Sequence, residues 1–248
     1  MRDFTRGTGD LSRGLAAIRA CPGAWKWLVA PALVTLLLIA AAIAGIAHVT
    51  DPLVRWVTDH LPSFLAGAAG ALVEIILVAV LGLGALLIFT AVAGAIAGPF
   101  NERLSERIEA HLTGRPVPAF SLPGFLHELS LGIVHGIRRV IVALLGAIVV
   151  FAIGLVPVVG TIAALVLGFW FVARGAAYDC YDAVLARRAM AYRDKLAYLE
   201  RHRARTLGLG ATVAALLLVP GVNLVALGLG AAGATVAAHS PESSGTAG

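Results

Sequence analysis

The sequence predicts an all-α integral membrane protein with two long transmembrane helices, two proline-broken, partly penetrating helical hairpins and cytoplasmic amphipathic helices. Three observations predict this class. Apolar residues make up 59% of the 248-residue chain and charged residues 13%, whereas a soluble domain has about 25% charged residues. Four apolar stretches are long enough to enter a bilayer. A proline turn interrupts two of these four stretches near their middle.

The two unbroken stretches predict transmembrane helices over about residues 27–49 and 64–97. Each exceeds the roughly 20 residues that a helix needs to cross the hydrocarbon core. Glu74 is the acidic residue inside the second stretch. A charged group at that depth is costly and is a candidate functional residue. The alternative is that the helix begins later, which would leave Glu74 at the outer interface.

The two broken stretches predict helical hairpins over about residues 140–173 and 207–238. Their arms contain 12 to 17 residues, at or below the roughly 17–25 that a tilted span needs. We therefore expect each hairpin to enter the bilayer and leave on the same side; two thin full crossings are the alternative. Paired broken segments favour a transport site, although such turn residues occur in any hairpin. The predicted turn residues are Pro157, Gly160, Pro220 and Asn223.

The distribution of lysine and arginine predicts the orientation. There are five in residues 1–26, one in 51–63, five in 99–139 and eight in 174–206. Basic loops stay in the cytoplasm. We therefore expect the amino terminus and both basic loops on the cytoplasmic side of a plasma or inner membrane, and residues 51–63 on the outer side. The same rule explains the net charge of +5, so this charge does not indicate nucleic-acid binding.

A glycine and a cation mark the start of the first long helix. Pro22 and Gly23 are followed by Trp25 and Lys26. Free N–H groups at a helix start attract anions, and a nearby lysine adds to that attraction. The alternative is an interfacial anchor, since Trp and Lys are typical of membrane boundaries.

Residues 102–114 predict an amphipathic helix that ends at Gly114. Leu104, Ile108 and Leu112 recur at helical spacing and form one apolar stripe. Glutamates and arginines alternate on the remaining surface, where spacings of three or four residues allow ion pairs. The pattern is typical of a solvated interfacial helix, or else of an ionic cluster at a pore mouth. The charged residues are Glu102, Arg103, Glu106, Arg107 and Glu109.

These landmarks, in this order over about 230 residues, resemble the CysZ-type sulfate permease family, which shares its domain with etoposide-induced membrane proteins. The matching motifs are Pro22-Gly23, Ala97-Gly98-Pro99-Phe100-Asn101 with Glu106 and Glu109, Val156 to Thr161, and Val219 to Leu224. The resemblance implies one membrane domain over residues 1–238, a homo-oligomer, and uptake of sulfate for cysteine synthesis without a cofactor or metal.

The resemblance also implies site residues. The family holds sulfate near Pro-Gly-x-Arg-Arg, so Gly23, Trp25 and Lys26 are the expected anion-binding positions. Trp25 and Lys26 stand where the family has two arginines, which removes planar bidentate donors and leaves one point charge. Sulfate or a related oxyanion is thus the expected substrate. The residues expected to line or gate the route are Glu106, Arg107 and Glu109.

The residues bear on two other function classes. A non-transporting scaffold or membrane-shaping protein is the main alternative, because the eight cations of 174–206 can attract anionic lipids. An enzyme is disfavoured, because the seven histidines are dispersed and no Gly-x-Ser-x-Gly motif occurs. Residues 239–248 have the composition of a disordered tail.

Overall fold

The computed structural model describes residues 2–59, 75–76, 79–80, 82, 84, 96–116, 121–188 and 190–240. Most of the predicted second transmembrane stretch, 64–97, and Glu74 with it, lie outside the described residues. All regular secondary structure within the described ranges is α-helical, which agrees with the predicted class.

Where the structure describes them in full, the connections between successive helices are short. Ser121 caps α4, because its Oγ accepts the Gly124 N–H at 3.3 Å. Gly114 ends α3 with a φ of +70°, a conformation that glycine adopts without strain. The helices are α1 (Arg2–Ala20), α2 (Ala24–Asp59), α3 (residues 96–113, as far as described), α4 (Leu122–Gly154), α5 (Val159–Leu185), α6 (Tyr192–Arg201), α7 (Arg203–Leu217) and α8 (Asn223–Ala238).

One part of the molecule is a closely packed group of helices, which we call the base bundle. It consists of α1, the first turns of α2, the described α3, the second half of α5, α7 and α8. Tyr181, Leu209 and Val213 lie in the apolar core between α5, α7 and α8. A second apolar cluster, with Ile18 and Leu104, joins α1 and α2 to α3 and α8.

Glycines allow the helices of the base bundle to touch at their backbones. A Cβ added to Gly14 of α1 would overlap the backbone nitrogen of Gly233 in α8. A Cβ on Gly208 of α7 would overlap the Phe4 carbonyl oxygen in the same way. Small residues at such crossings let two helices gain dispersion contacts along their length, so α1 lies flat against α7 and α8.

An ion pair fixes α1 to α7 at the same contact. Asp10 is fully buried, and it accepts from Arg205 Nε at 2.6 Å and from Arg205 Nη2 at 2.9 Å. Arg13 Nη1 donates to Asp10 as well, at 3.2 Å. A buried carboxylate needs such partners, because an unpaired charge there would be strongly destabilising.

A second part of the molecule is apolar and exposed. Leu37 of α2, Phe151 of α4 and Leu165 of α5 are each 70–71% exposed. Continuous burial in α5 begins only near Ala173. Monomeric soluble proteins rarely expose so large an apolar surface. By length and composition, Ala24–Ile46 and Val159–Leu185 are able to cross a membrane, so lipid is the environment that suits these exposed segments.

The predicted turn residues lie at or beside the helix connections. Pro157 lies between α4 and α5, and Pro220 between α7 and α8. Gly160 lies in the first turn of α5, where a Cβ would overlap the Ile153 carbonyl oxygen. Asn223 is the first residue of α8.

The two broken segments differ in their surroundings. Residues 141–172 project from the base bundle as an exposed helical pair. By contrast, most of α7 and α8 is enclosed by α1 and α5. The exposed large apolar residues of that second pair are at its tip, where Leu218 is 77% exposed.

Within the described residues, two helix boundaries differ from the predicted ones. Helix α2 continues through Pro52 to Asp59, so residues 51–59 of the expected outer loop are helical. Helix α5 extends to Leu185 rather than ending near 173. His239 and Ser240, the first two residues of the expected tail, both make side-chain contacts, and residues 241–248 lie outside the described residues. The predictions took the end of each apolar run as the end of the helix, whereas these helices continue with a polar surface.

The exposed tip between α4 and α5 provides a direct test. A Val158→Cys variant places a thiol on a residue that is 72% exposed in the isolated chain, and we expect lipid to cover it. The native thiols, Cys21 and Cys180, are buried, so they give little background. In proteoliposomes, a membrane-impermeant maleimide should leave Val158→Cys unlabelled and label an Arg203→Cys control. Equal labelling of the two variants would contradict the placement of this tip inside the bilayer.

Candidate functional site

A tight turn joins α1 to α2. Residues 21–23 form it, and Gly23 has a φ of +74°, which favours glycine over residues with a Cβ. The N-terminus of α2 follows at once and carries the partial positive charge of a helix start. The backbone therefore presents an unobstructed, electropositive surface at this point.

Two cations from different helices lie beside that turn. A Cβ built on Gly23 would be 3.5 Å from Arg107 Nη1 and 3.8 Å from Lys26 Cε. Both cations also lie over the ring of Trp27, with Lys26 Nζ at 5.8 Å and Arg107 Cζ at 5.9 Å from its centroid. We call Gly23, Lys26, Trp27 and Arg107 the cationic turn. Two positive side chains, a bare backbone and a helix N-terminus make it suited to an anion.

The aromatic residue of the cationic turn is Trp27 and not the predicted Trp25. Trp25 is 45% exposed. The Trp27 ring also packs on Phe100 of α3, with 6.0 Å between centroids. This contact fixes α3 beside the start of α2, and so it fixes the distance from which Arg107 reaches Gly23.

Helix α3 directs its charged residues to different neighbours. Leu104 and Ile108 are fully buried on one face, whereas Leu112, the third residue of the predicted stripe, is 45% exposed because the last turn extends beyond the bundle. On the remaining surface, Arg103 Nη1 donates to Glu106 Oε2 at 2.7 Å. Arg107 points to the cationic turn, and Glu109 points away from it to a separate network.

That network connects three elements of the base bundle. Arg187 Nη2 donates to Glu109 Oε2 at 2.5 Å and to Ser105 Oγ at 2.9 Å. His239 Nε2 lies 3.1 Å from Glu109 Oε1. The Ser105 and Thr235 hydroxyls share a hydrogen bond of 2.6 Å. Glu109 is therefore clamped between the ends of α5 and α8.

The charge state of Arg187 follows from its surroundings. Burial lowers the pKa of its guanidinium below its ordinary value, and the nearby Glu109, Glu106 and Glu102 oppose that shift. Guanidinium remains protonated in proteins at neutral pH. Arg187 and Glu109 thus form a charge-assisted pair, which is stronger than a neutral hydrogen bond.

A small cavity near α3 is lined partly by acidic residues, in contrast to the cationic turn. It is lined by Ala97, Gly98, Asn101, Glu102, Asp179, Asp182, Ala183 and Leu227. Three of these residues carry carboxylates, and Lys195 Nζ lies 2.7 Å from the carboxylate of Asp182. Carboxylates in the lining repel an anion, so this cavity is less suited to an oxyanion than the cationic turn.

Comparison with known proteins identifies the family. A family model described as sulfate transporter CysZ/etoposide-induced protein 2.4 matches residues 10–227. The chain belongs to this family. A Pectobacterium atrosepticum protein named sulfate transporter CysZ is 26% identical over 214 residues, or 86% of this chain and 78% of that protein. A Vibrio cholerae protein of the same name is 25% identical over 230 residues, 92% of this chain and 91% of the relative.

A third relative matches a shorter region at higher identity. A Pseudomonas fluorescens protein, also named sulfate transporter CysZ, is 34% identical over 152 residues, which are 60% of this chain and 59% of that protein. The resemblance drawn from the sequence motifs is confirmed. The family match includes every residue of the cationic turn and also Arg187, whereas His239 lies beyond it.

Sequence reasoning missed several residues of this CysZ family member that the structure brings together. Arg187 lies 78 residues after Glu109, and His239 lies 130 residues after Glu109. No local spacing indicates either contact. Trp27 was not among the predicted site residues. It contacts Arg107 of a different helix, so no local spacing indicates this contact either.

The clamp on Glu109 leads to a stability prediction. Glu109→Gln should lower the free energy of unfolding by about 1.5–3 kcal/mol, because Arg187 loses a charged hydrogen-bond partner in a partly buried site. Glu200→Gln is the control: its pair with Arg174, at 2.6 Å, is about half exposed and should change stability by less than about 1 kcal/mol. Thermal unfolding in detergent measures both. Equal shifts in Tm would contradict the structural role of the clamp.

Proposed function

We propose that this protein is a membrane permease for sulfate or a related oxyanion, and that it supports sulfur assimilation and cysteine biosynthesis. The observation that carries the proposal is the cationic turn, in which Lys26 and Arg107 flank Gly23 at the start of a helix long enough to span a bilayer. The names of the relatives, sulfate transporter CysZ, support the choice of anion.

The proposed topology follows the positive-inside rule. The amino terminus and the base bundle lie on the cytoplasmic side, and α2 crosses the membrane, since Ala24–Ile46 is 23 residues long. Under this topology the cationic turn lies at the inner boundary, where an anion enters or leaves the cytoplasm. Labelling of Arg203→Cys by an impermeant thiol reagent in inside-out vesicles alone would support this orientation; labelling in right-side-out vesicles would refute it.

The exposed pair of helices is proposed to enter the bilayer without crossing it. The exposed part of α5, residues 159–172, contains 14 residues, about 21 Å of helix at 1.5 Å per residue. The hydrocarbon core is about 30 Å thick. A helical pair that ends inside the membrane leaves an incomplete route, so we also propose that copies of the chain associate through these apolar segments.

The charged residues of α3 are proposed to control passage. Glu106 and Glu109 are held by Arg103 and Arg187 in the described structure. A passing anion would compete with these carboxylates for the same guanidinium groups, because both present oxygen acceptors to a fork of N–H donors. In this proposal the ion pairs resist leakage and open when the anion occupies the arginines.

A membrane-shaping scaffold is the alternative function. The projecting apolar pair formed by residues 141–172 favours it, because an element inserted from one side displaces lipid in that leaflet only. Transport and scaffolding differ in a measurable way, since only a permease moves sulfate across a sealed bilayer.

A flux assay tests the proposal. Purified protein in liposomes should take up labelled sulfate above empty vesicles, and Lys26→Ala should reduce uptake about tenfold, as expected for the loss of one charged contact. Arg193→Ala, an exposed cation on α6, is the matched control and should leave uptake unchanged. Wild-type uptake equal to that of empty vesicles would refute the permease and leave the scaffold.

A further inference from the structure

We infer that Arg107 is the residue that gives the cationic turn its preference for divalent tetrahedral oxyanions. It reaches the turn from α3 and supplies the guanidinium that residues 24–26 lack. This inference rests on the proposed function, since it assigns specificity to the same anion site.

Two cationic side chains lie close to Gly23. In the described structure, Arg107 Nη1 and Lys26 Cε are the side-chain atoms found within 4 Å of the position that a Cβ on Gly23 would occupy. An anion that approaches the backbone there meets both the guanidinium of Arg107 and the side chain of Lys26. The glycine leaves that approach open.

Arg107 is held in place by contacts that do not neutralise it. Its carbonyl oxygen lies 3.6 Å from Cys21 Sγ, and its guanidinium lies over the Trp27 ring. Within the described residues no carboxylate lies at ion-pairing distance from its side chain. By comparison, Arg103 and Arg187 are each paired with a glutamate. The positive charge of Arg107 is therefore available to a ligand.

The chemistry of the two cations explains the specificity. Lysine is a compact point charge that serves any anion, whereas the planar fork of arginine matches two oxygens of one oxyanion at once. Sulfate carries two charges and four oxygens, so it can engage Lys26 and the fork of Arg107 together. Chloride offers one charge and no pair of oxygens. Loss of the Arg107 side chain should thus weaken the binding of sulfate far more than the binding of chloride.

Position 25 allows a substitution that could replace the guanidinium of Arg107. Trp25 stands where related sequences are expected to have an arginine, and it is exposed beside Lys26. A Trp25→Arg substitution would place a guanidinium on the turn itself. It should compensate for the loss of Arg107 only if the role of Arg107 is to bind the anion, because a structural role on Trp27 cannot be filled from position 25.

The experiment measures sulfate binding to the detergent-solubilised full-length chain, with chloride as competitor. Arg107→Gln should weaken sulfate binding about tenfold or more, since a charged hydrogen-bonded contact is lost, and Arg107→Lys should lower the sulfate-to-chloride preference while keeping the charge. Trp25→Arg in the Arg107→Gln background should restore binding. Arg115→Gln, an exposed cation just past α3, is the control and should change nothing.

The outcomes separate the two levels of the proposal. Sulfate binding by Arg107→Gln and Arg107→Lys with wild-type affinity and preference, while Lys26→Ala binds weakly, would overturn the role of Arg107 and leave the permease intact. An absence of sulfate binding and flux in the wild-type chain would overturn the permease itself. If Arg107→Gln does not fold, the sulfate-to-chloride preference of Arg107→Lys tests the role of Arg107. This variant keeps a cation over Trp27 and removes only the planar pair of N–H donors.

Discussion

The buried pair of Asp10 with Arg205 is the interaction on which the rest of the described structure depends. It fixes α1 against α7 at a contact where glycines already bring the backbones together. Because α1 runs into α2 through the three residues 21–23, the position of α1 sets the position of the Gly23 turn. The apolar cluster around Ile18 and Leu104 then fixes α3 beside that turn. A charge buried far from the anion site thus determines where the site lies.

The charged residues of α3 make different contacts within the base bundle. One face packs into the bundle through Leu104 and Ile108, and successive charged residues leave the helix in different directions. The Glu109 clamp uses carboxylate and guanidinium to hold elements together, whereas Arg107 keeps its charge free of a described carboxylate. Residues that are close in sequence therefore contact different parts of the molecule: Glu109 contacts the ends of α5 and α8, and Arg107 contacts the Gly23 turn.

The sequence predicted the helical class and the family, because both rest on local signals. Apolar runs, proline turns and ordered motifs can be read without tertiary information. The extent of α5 could not be predicted in the same way, since its last turns are buried by packing against α7 and not by lipid. The convergence of Arg107 with Lys26 and the clamp of Arg187 on Glu109 need the three-dimensional contact of distant segments. Spacing along the chain does not contain that contact.

The central claim is that the cationic turn binds a tetrahedral oxyanion. The most direct measurement is an experimental structure of the full chain in lipid with selenate, whose anomalous signal marks the anion. One selenium peak is expected in front of Gly23, with anion oxygens at hydrogen-bond distance from Arg107 and Lys26. A peak elsewhere on the molecule, with the cationic turn empty, would contradict it.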